Sequence, residues 1–406
     1  MKIGILTFHG SINEGAVMQC YSLCHRLMND FPDAKIEVID YHMPRIQKIY
    51  EISIKNYLSS GGIRSRFRKV LHLILAPSRI KQMKSRKSAF EMCTNLLPLS
   101  PETIVDDGTE ELFNYINNHY DIVVSGSDAI WNYNVRGFPN PYFLSDSIHI
   151  PKLSYAASCY GMAYEKILEE EKKQISRILS SYYFLGVRDD ESAKFAQSIG
   201  CSVATVHTCD PTVFLDLNDL PVNIEKLREK MKKRGFDFHK PAIGVMSGNK
   251  MCKMARRLYG SAYQIVALQA PSIYADVNLH DLSPYEWSRI FSFFKLTITS
   301  FFHGTLVSLR NGVPVIAIAL ESEYSKNHMT KVQDFLRRVG LEDCYVHTDF
   351  KKAGLAAIKQ KADQLLNSED MREIILKRME REAQSVAVFT QEIERLRQEK
   401  EDSYDY

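Results

Sequence analysis

The chain has 406 residues, 45% of them apolar and 25% charged, the proportions of an ordinary globular protein long enough for two domains. It contains no run of eighteen apolar residues, which excludes a membrane-spanning helix from the sequence pattern. The formal charge of +3 hides an asymmetry: twelve basic residues and one acid lie between Tyr41 and Phe90, leaving 40 basic and 48 acidic residues elsewhere. A +11 block is thus joined to a body of −8, a pattern that draws polyanions or an anionic membrane surface.

The opening MKIGILTF turns polar after eight positions, too few for the apolar region of a signal peptide, and residues 2–7 read as a first strand. A polar loop over 8–15 leads to a helix with Val17, Cys20, Tyr21, Cys24, Leu27 and Met28 near a 3.6-residue period. Residues 36–40 read as a second strand. The basic insertion over about 42–95 is helical in places, with Phe67, Val70, Leu71, Ile74 and Leu75 spaced for one face. Strands follow at 120–124, 153–157 and 183–187, then a helix over 191–199 closed by Gly200, and a short strand at 203–206.

A charged stretch over 223–240 separates the halves. Strands at 242–246, 264–268, 296–299 and 313–318 then alternate with helices, and from residue 355 the chain is helical and charged to about residue 400. Residues 401–406 are expected to be disordered. This alternation implies an α/β fold with parallel sheets. The expected domains are a Rossmann-like one over 1–218, a second over 219–365, and a C-terminal helix with its tail over 366–406, crossing back to the first. The eight cysteines form no C-x-x-C pair, which favours buried free thiols and a reducing cytoplasm.

Ligands of open parallel sheets bind beyond the carboxyl ends of the strands. The residues there are the Gly10–Gly15 loop, Gly126-Ser127-Asp128 running on to Trp131-Asn132, Val187-Arg188-Asp189, and Ser300-Phe301-Phe302-His303-Gly304-Thr305. Arg188 can grip a carboxylate or phosphate with two prongs, or pair with a nearby Asp. Trp131 can line a sugar site or sit in the core. His303 falls at a strand end and a helix start, flanked by residues suited to an anion.

In order, these segments resemble the polysaccharide pyruvyl transferase family. Its signatures stand here as Asn13-Glu14-Gly15-Ala16-Val17-Met18-Gln19, Gly126 to Asn132, Tyr155-Ala156-Ala157-Ser158, Val187-Arg188-Asp189, Asp210-Pro211-Thr212, and Phe302 to Thr305 followed by Gly312-Val313-Pro314. The resemblance spans roughly residues 2–340. It implies a GT-B-like fold of two Rossmann-like domains with the active site in the cleft between them. It also implies transfer of a pyruvyl group from phosphoenolpyruvate to two hydroxyls of a sugar, in a polysaccharide or its lipid-linked precursor.

On that resemblance His303 and Arg188 are the expected catalytic residues, and Asn13, Gly15, Ser127, Asp128, Ser300, Gly304 and Thr305 the expected donor site. Trp131, Asn132, Glu321 and Glu323 are the expected acceptor contacts. The sequence departs from the family at Phe301, where many members carry a donor-binding arginine; Lys326 or Lys331 is expected to supply that charge. No cofactor or metal is required by this scheme, and no metal-ligand cluster shows in the sequence. A nucleotide-sugar glycosyltransferase would share the architecture, with Glu321 or Glu323 holding the nucleotide, and a non-catalytic member of a polysaccharide assembly complex would also suit the basic block. Nucleic acid is not an expected partner, since no recognised motif accompanies the charge. The expected location is the cytoplasm, peripherally at the inner membrane face.

Overall fold

The computed structural model describes residues 1–44, 78–106, 110–162, 166–320, 329–348 and 352–402. The chain divides into two units. Unit 1 takes the described residues of Met1–Tyr50, Thr94–Pro211 and Ala383–Tyr406, and unit 2 those of Glu51–Cys93 and Thr212–Glu382.

Unit 1 is built on β1 (Lys2–Leu6), β2 (Lys35–His42), β3 (Leu99–Val105), β4 (Ile122–Gly126), β5 (Lys152–Ala157), β6 (Phe184–Val187) and β7 (Thr205–His207). All neighbours pair in parallel, in the order β3-β2-β1-β4-β5-β6-β7. β4 and β5 are buried along their whole length, as strands covered on both faces must be. Helices α1 (Glu14–Asp30), α2 (Ser78–Thr94), α3 (Glu110–His119), α4 (Tyr133–Arg136), α5 (Glu169–Leu179) and α6 (Asp190–Ser198) lie between them in sequence. α1 begins at Asn13, whose side chain accepts from the Gly15 amide, and buries Cys20, Leu23, Cys24 and Leu27.

Unit 2 repeats the plan with β8 (Ala242–Met246), β9 (Gln264–Leu268), β10 (Val277–Leu279), β11 (Leu296–Thr299), β12 (Val315–Leu320) and β13 (Tyr345–Thr348). Their order is β10-β9-β8-β11-β12-β13, again parallel. The helices are α7 (Ile224–Lys233), α8 (Gly248–Tyr259), α9 (Pro284–Ile290), α10 (Phe302–Arg310), α11 (Lys331–Arg338), α12 (Lys352–Asn367) and α13 (Met371–Ala383). In each sheet the chain reverses its direction of travel once, between β1 and β4 and between β8 and β11. Those two points are where an open α/β sheet offers a ligand crevice.

The unit boundaries differ from the sequence reading. The switch falls at Pro211 rather than at residue 218, and Arg310 Nε donating to the Leu215 carbonyl at 2.6 Å ties the residues after Pro211 to unit 2. The charged stretch over 223–240 is no linker: α7 seats Leu227 and Met231 in the unit 2 core. α2, from the basic insertion, also groups with unit 2, where Tyr285 Oη donates to the Cys93 carbonyl and Arg86 to that of His280. The rest of that insertion, including Phe67 to Leu75, lies outside the described residues.

The return to unit 1 begins at Ala383, later than residue 366, because Arg372 on α13 donates to the Asn311 carbonyl within unit 2. The helix that packs on unit 1 is α14 (Val386–Asp402), which places Phe389 against Tyr155 and Phe184. All eight cysteines are free thiols, seven of them buried. Among the described residues no helix is long and apolar enough to cross a membrane.

Candidate functional site

The strand ends at the two reversal points carry the candidate chemistry. In unit 2 the parallel register sets Thr299 of β11 beside Met246 of β8, so that Ser300 and Ser247 leave the sheet together. The Ser300 amide donates to Ser247 Oγ at 3.1 Å, and the two hydroxyls lie 2.5 Å apart. Phe301 then starts α10 and has no side-chain acceptor with which to cap it. His303 stands half-buried in the first turn.

A helix start without a side-chain cap, beside two hydroxyls and an imidazole, suits an anion. Phe301, at the position of the family arginine, is 43% exposed. Lys331, first residue of α11, holds its ammonium 5.3 Å from the centre of the Phe302 ring, next to His303 in sequence. Lys326, Glu321 and Glu323 lie outside the described residues.

Gly304 and Thr305 serve packing. A Cβ on Gly304 would come within 2.7 Å of Met246 Sδ and 2.8 Å of Thr299 Oγ1, so glycine is what lets α10 lie close on β8 and β11. Thr305 is fully buried and its hydroxyl donates to the Phe301 carbonyl at 3.1 Å. Thr305 is therefore no donor ligand, because its one hydroxyl proton is used within the helix.

In unit 1 the reversal point joins Thr7 to the β4 end. Thr7 Oγ1 donates to the Gly126 carbonyl at 2.8 Å and lies 3.0 Å from Ser127 Oγ. Ser127 and Asp128 both take left-handed backbone angles, φ 64° and 52°, the kind of strain that gathers at functional turns. Asn13 and Gly15 satisfy each other through the cap of α1.

The role expected of Arg188 is overturned. Its side chain is 1% exposed and is enclosed by carboxylates: Nη1 donates to Asp210 Oδ2 at 3.0 Å, Nη2 lies 3.8 Å from Asp128 Oδ1, and Nε 3.9 Å from Asp189 Oδ2. Burial works against the charge, but the three carboxylates outweigh it and raise the pKa. A guanidinium buried among three carboxylates holds unit 1 together.

Trp131 and Asn132 are likewise no acceptor contacts. Trp131 is fully buried, donates to the Tyr142 carbonyl and stacks on Phe143; Asn132 caps α4 and donates to the Tyr160 carbonyl.

The carboxylates around Arg188 gather the family signatures into one cluster. Gln19 donates to Asp210 Oδ2 at 2.5 Å, and Ser158 Oγ donates to Asp189 Oδ2 at 2.6 Å. Gln19, Asp128, Ser158, Arg188 and Asp210, each from a separate motif, thereby gather in one polar cluster, buried except at Asp128.

Sequence reasoning missed a second cluster. His9, just past β1, and Asp40 and His42, at the end of β2, bring three ligand-type atoms within 4.8 Å of one another. The hydrogen bond from His9 is the leading cause that holds the Asp40 carboxyl well below the usual carboxylate range, against the cost of burial, while burial pushes the His42 imidazole down. The rule that ligands sit at strand ends, applied to β1 and β2 together, would have flagged these residues.

The sequence matches the family model for polysaccharide pyruvyl transferase over residues 13–322. No curated protein matches it. Solved structures share its fold, two epimerase structures among them. One is a putative UDP-N-acetylglucosamine 2-epimerase from Listeria monocytogenes, 10% identical, covering 93% of this chain and 90% of its own, with a TM-score of 0.50. The other, UDP-GlcNAc 2-epimerase from Neisseria meningitidis bound to UDP-GlcNAc, is 10% identical over 97% of this chain and 100% of its own, with a TM-score of 0.51. The fold is thus GT-B-like, an α/β chain with two Rossmann-like units.

Proposed function

The chain belongs to the polysaccharide pyruvyl transferase family, and from that premise we propose that it moves the pyruvyl group of phosphoenolpyruvate onto two hydroxyls of a sugar, forming a ketal. The acceptor would be a polysaccharide or its lipid-linked precursor. The observation that carries the reading is His303 in the first turn of the uncapped helix α10, directly after β11 at the unit 2 reversal point.

Each step has a group suited to it. The donor carries a carboxylate and a phosphate, which the start of α10, the Ser247–Ser300 pair and the Lys331 ammonium favour. His303 delivers a proton to the methylene carbon of the donor, leaving positive charge at the adjacent carbon. A sugar hydroxyl attacks there and gives up its proton to the now neutral His303. The carbon–oxygen bond to phosphate breaks, and a second hydroxyl closes the ketal as its proton goes to solvent or phosphate. An imidazole can serve both as acid and as base in such a sequence.

The basic block fits a lipid-linked acceptor, since each Lys or Arg near an anionic bilayer contributes about 1 kcal/mol of attraction. Sedimentation with anionic vesicles, losing protein from the pellet as salt rises, would support that placement. The reaction is tested by offering phosphoenolpyruvate and sugar nucleotides side by side with sugar acceptors. Phosphate release with a ketal product supports the proposal; release of a nucleoside diphosphate instead assigns the chain to glycosyl transfer, and neither to a non-catalytic role.

A further inference from the structure

At the C-terminal edge of the unit 1 sheet, beside the reversal point, stands a cluster that the proposed reaction does not use. We propose that His9, Asp40 and His42 bind a divalent transition-metal ion of the zinc class through Nε2 of both histidines and Oδ1 of Asp40. The proposal does not depend on the identity of the transferred group.

The geometry converges on one oxygen. His9 Nε2 lies 3.1 Å from Asp40 Oδ1 and His42 Nε2 lies 2.8 Å from the same atom. Ligands about 2.0–2.1 Å from a tetrahedral zinc sit roughly 3.3 Å from one another, so small shifts admit the ion. Asp40 and His42 are two apart on β2 and therefore share a face of the sheet.

The surrounding bonds favour a cation over the bare cluster. His9 Nδ1 sits 3.3 Å from the Thr7 carbonyl, which can only accept, so the proton belongs on Nδ1. Nε2 then faces the carboxylate oxygen through positive charge between them, a ring proton in the hydrogen-bonded cluster or a metal ion in its place. A ring N–H held by a backbone carbonyl is also the usual support of a metal-binding histidine. The carboxylate is fixed in turn: Thr103 Oγ1 donates to Asp40 Oδ2 at 2.6 Å, and the Asp40 amide donates to Ser100 Oγ.

Two imidazoles and one carboxylate suit zinc, iron or cobalt better than magnesium or calcium, which take oxygen shells. Three protein ligands leave a fourth position for water or a substrate oxygen. The His9 side chain is fully buried while that of His42 is 21% exposed, so access lies on the His42 side. Gly10 keeps that side in register, because a Cβ there would lie 2.9 Å from the His42 ring.

The test uses the full chain, stripped with chelator and titrated with Co2+ and Zn2+. The expected result is a visible cobalt spectrum of four-coordinate N2O type, displaced by one equivalent of Zn2+. H42A and D40N should weaken zinc binding at least about a hundredfold, beyond the loss of a supporting partner. G10A, which keeps all three ligands, should weaken it less. Zinc should also raise the melting temperature of the wild type and leave that of H42A unchanged, a comparison that does not require the variants to be equally stable. A six-coordinate aqua-like cobalt spectrum, or zinc retained equally by wild type and H42A, overturns the site.

Discussion

Gln19 and Asp210 stand 191 positions apart in sequence, and their side chains meet at 2.5 Å on the same carboxylate oxygen that accepts from Arg188. Helix α1, β6 and the turn after β7 are thereby fastened at one point inside unit 1. The family motifs that supply these residues mark a structural joint as much as a place of chemistry.

That joint predicts what loss of Arg188 does. Arg188→Ala leaves three carboxylates facing one another without their cation, and breaking such a buried pair costs about 3–5 kcal/mol. Urea or guanidinium unfolding should show it. A double-mutant cycle with Asp210→Asn should give a coupling of at least about 0.5 kcal/mol. An Arg188→Ala protein as stable as wild type, with only a weaker donor affinity, would return Arg188 to the binding site.

His303 makes the opposite forecast. His303→Ala should lower turnover by about a hundredfold or more, the usual scale for a general acid–base group, while the melting temperature stays close to wild type. Stopped assays of phosphate release measure it. Turnover within a few-fold of wild type would remove His303 from the reaction.

Gly304 links packing to that chemistry. Gly304→Ala forces a methyl against Met246 and Thr299 and should cost about 1–3 kcal/mol, as overpacking does. Because the same helix turn carries His303, turnover should fall as well, with the imidazole still present. Unchanged stability and rate would mean that α10 shifts without consequence.

Lys331→Met keeps a long side chain for the Phe302 ring and removes the charge. Donor binding should weaken by about 1.5–3 kcal/mol, the worth of a charged hydrogen bond, with folding little changed. An unaltered donor constant would exclude Lys331 as the substitute for the arginine that Phe301 displaces.

His280 gives a pH dependence. It is buried, and desolvation lowers its pKa from 6.5, aided by Arg234, Arg86 and Lys230 against the opposing pull of Asp281. The unfolded chain therefore binds more protons below about pH 6.5, and stability falls as pH drops through that value until the folded imidazole also protonates. His280→Leu should flatten unfolding midpoints measured from pH 7 to 5, by at most about 1.4 kcal/mol per pH unit. An identical slope would show that other groups set the acid limit.

The strands whose apolar runs are continuous were readable from sequence with their bounds: β8, β9 and β11 fall where the pattern puts them. The strands missed were β3, β10 and β13, all at or next to a sheet edge. β3 carries a proline and alternates weakly, β10 has three residues, and a one-sided strand gives little signal. The site was legible in kind and not in role. Arg188 and Trp131 stand where a ligand residue would, but their partners, Asp210, Tyr142 and Phe143, come from other stretches of chain, and only the fold shows that they bury the side chains. The same holds for His9 and Asp40, harmless singly and joined only by the pairing of β1 with β2.

Helix α14 gives unit 1 an order of assembly during synthesis. Phe389 covers Tyr155 and Phe184, Ser385 accepts from the Cys209 amide, and Lys400 pairs with Asp121 beside β4. The unit 1 residues up to Pro211 thus wait for residues 383–402 before their sheet is closed over β5 and β6. Unit 2, whose described segments are all made by residue 382, has no such wait. A released chain ending at Glu382 should therefore hold a protease-resistant unit 2 while unit 1 stays open to cleavage, reversing the usual N-terminal-first sequence of folding.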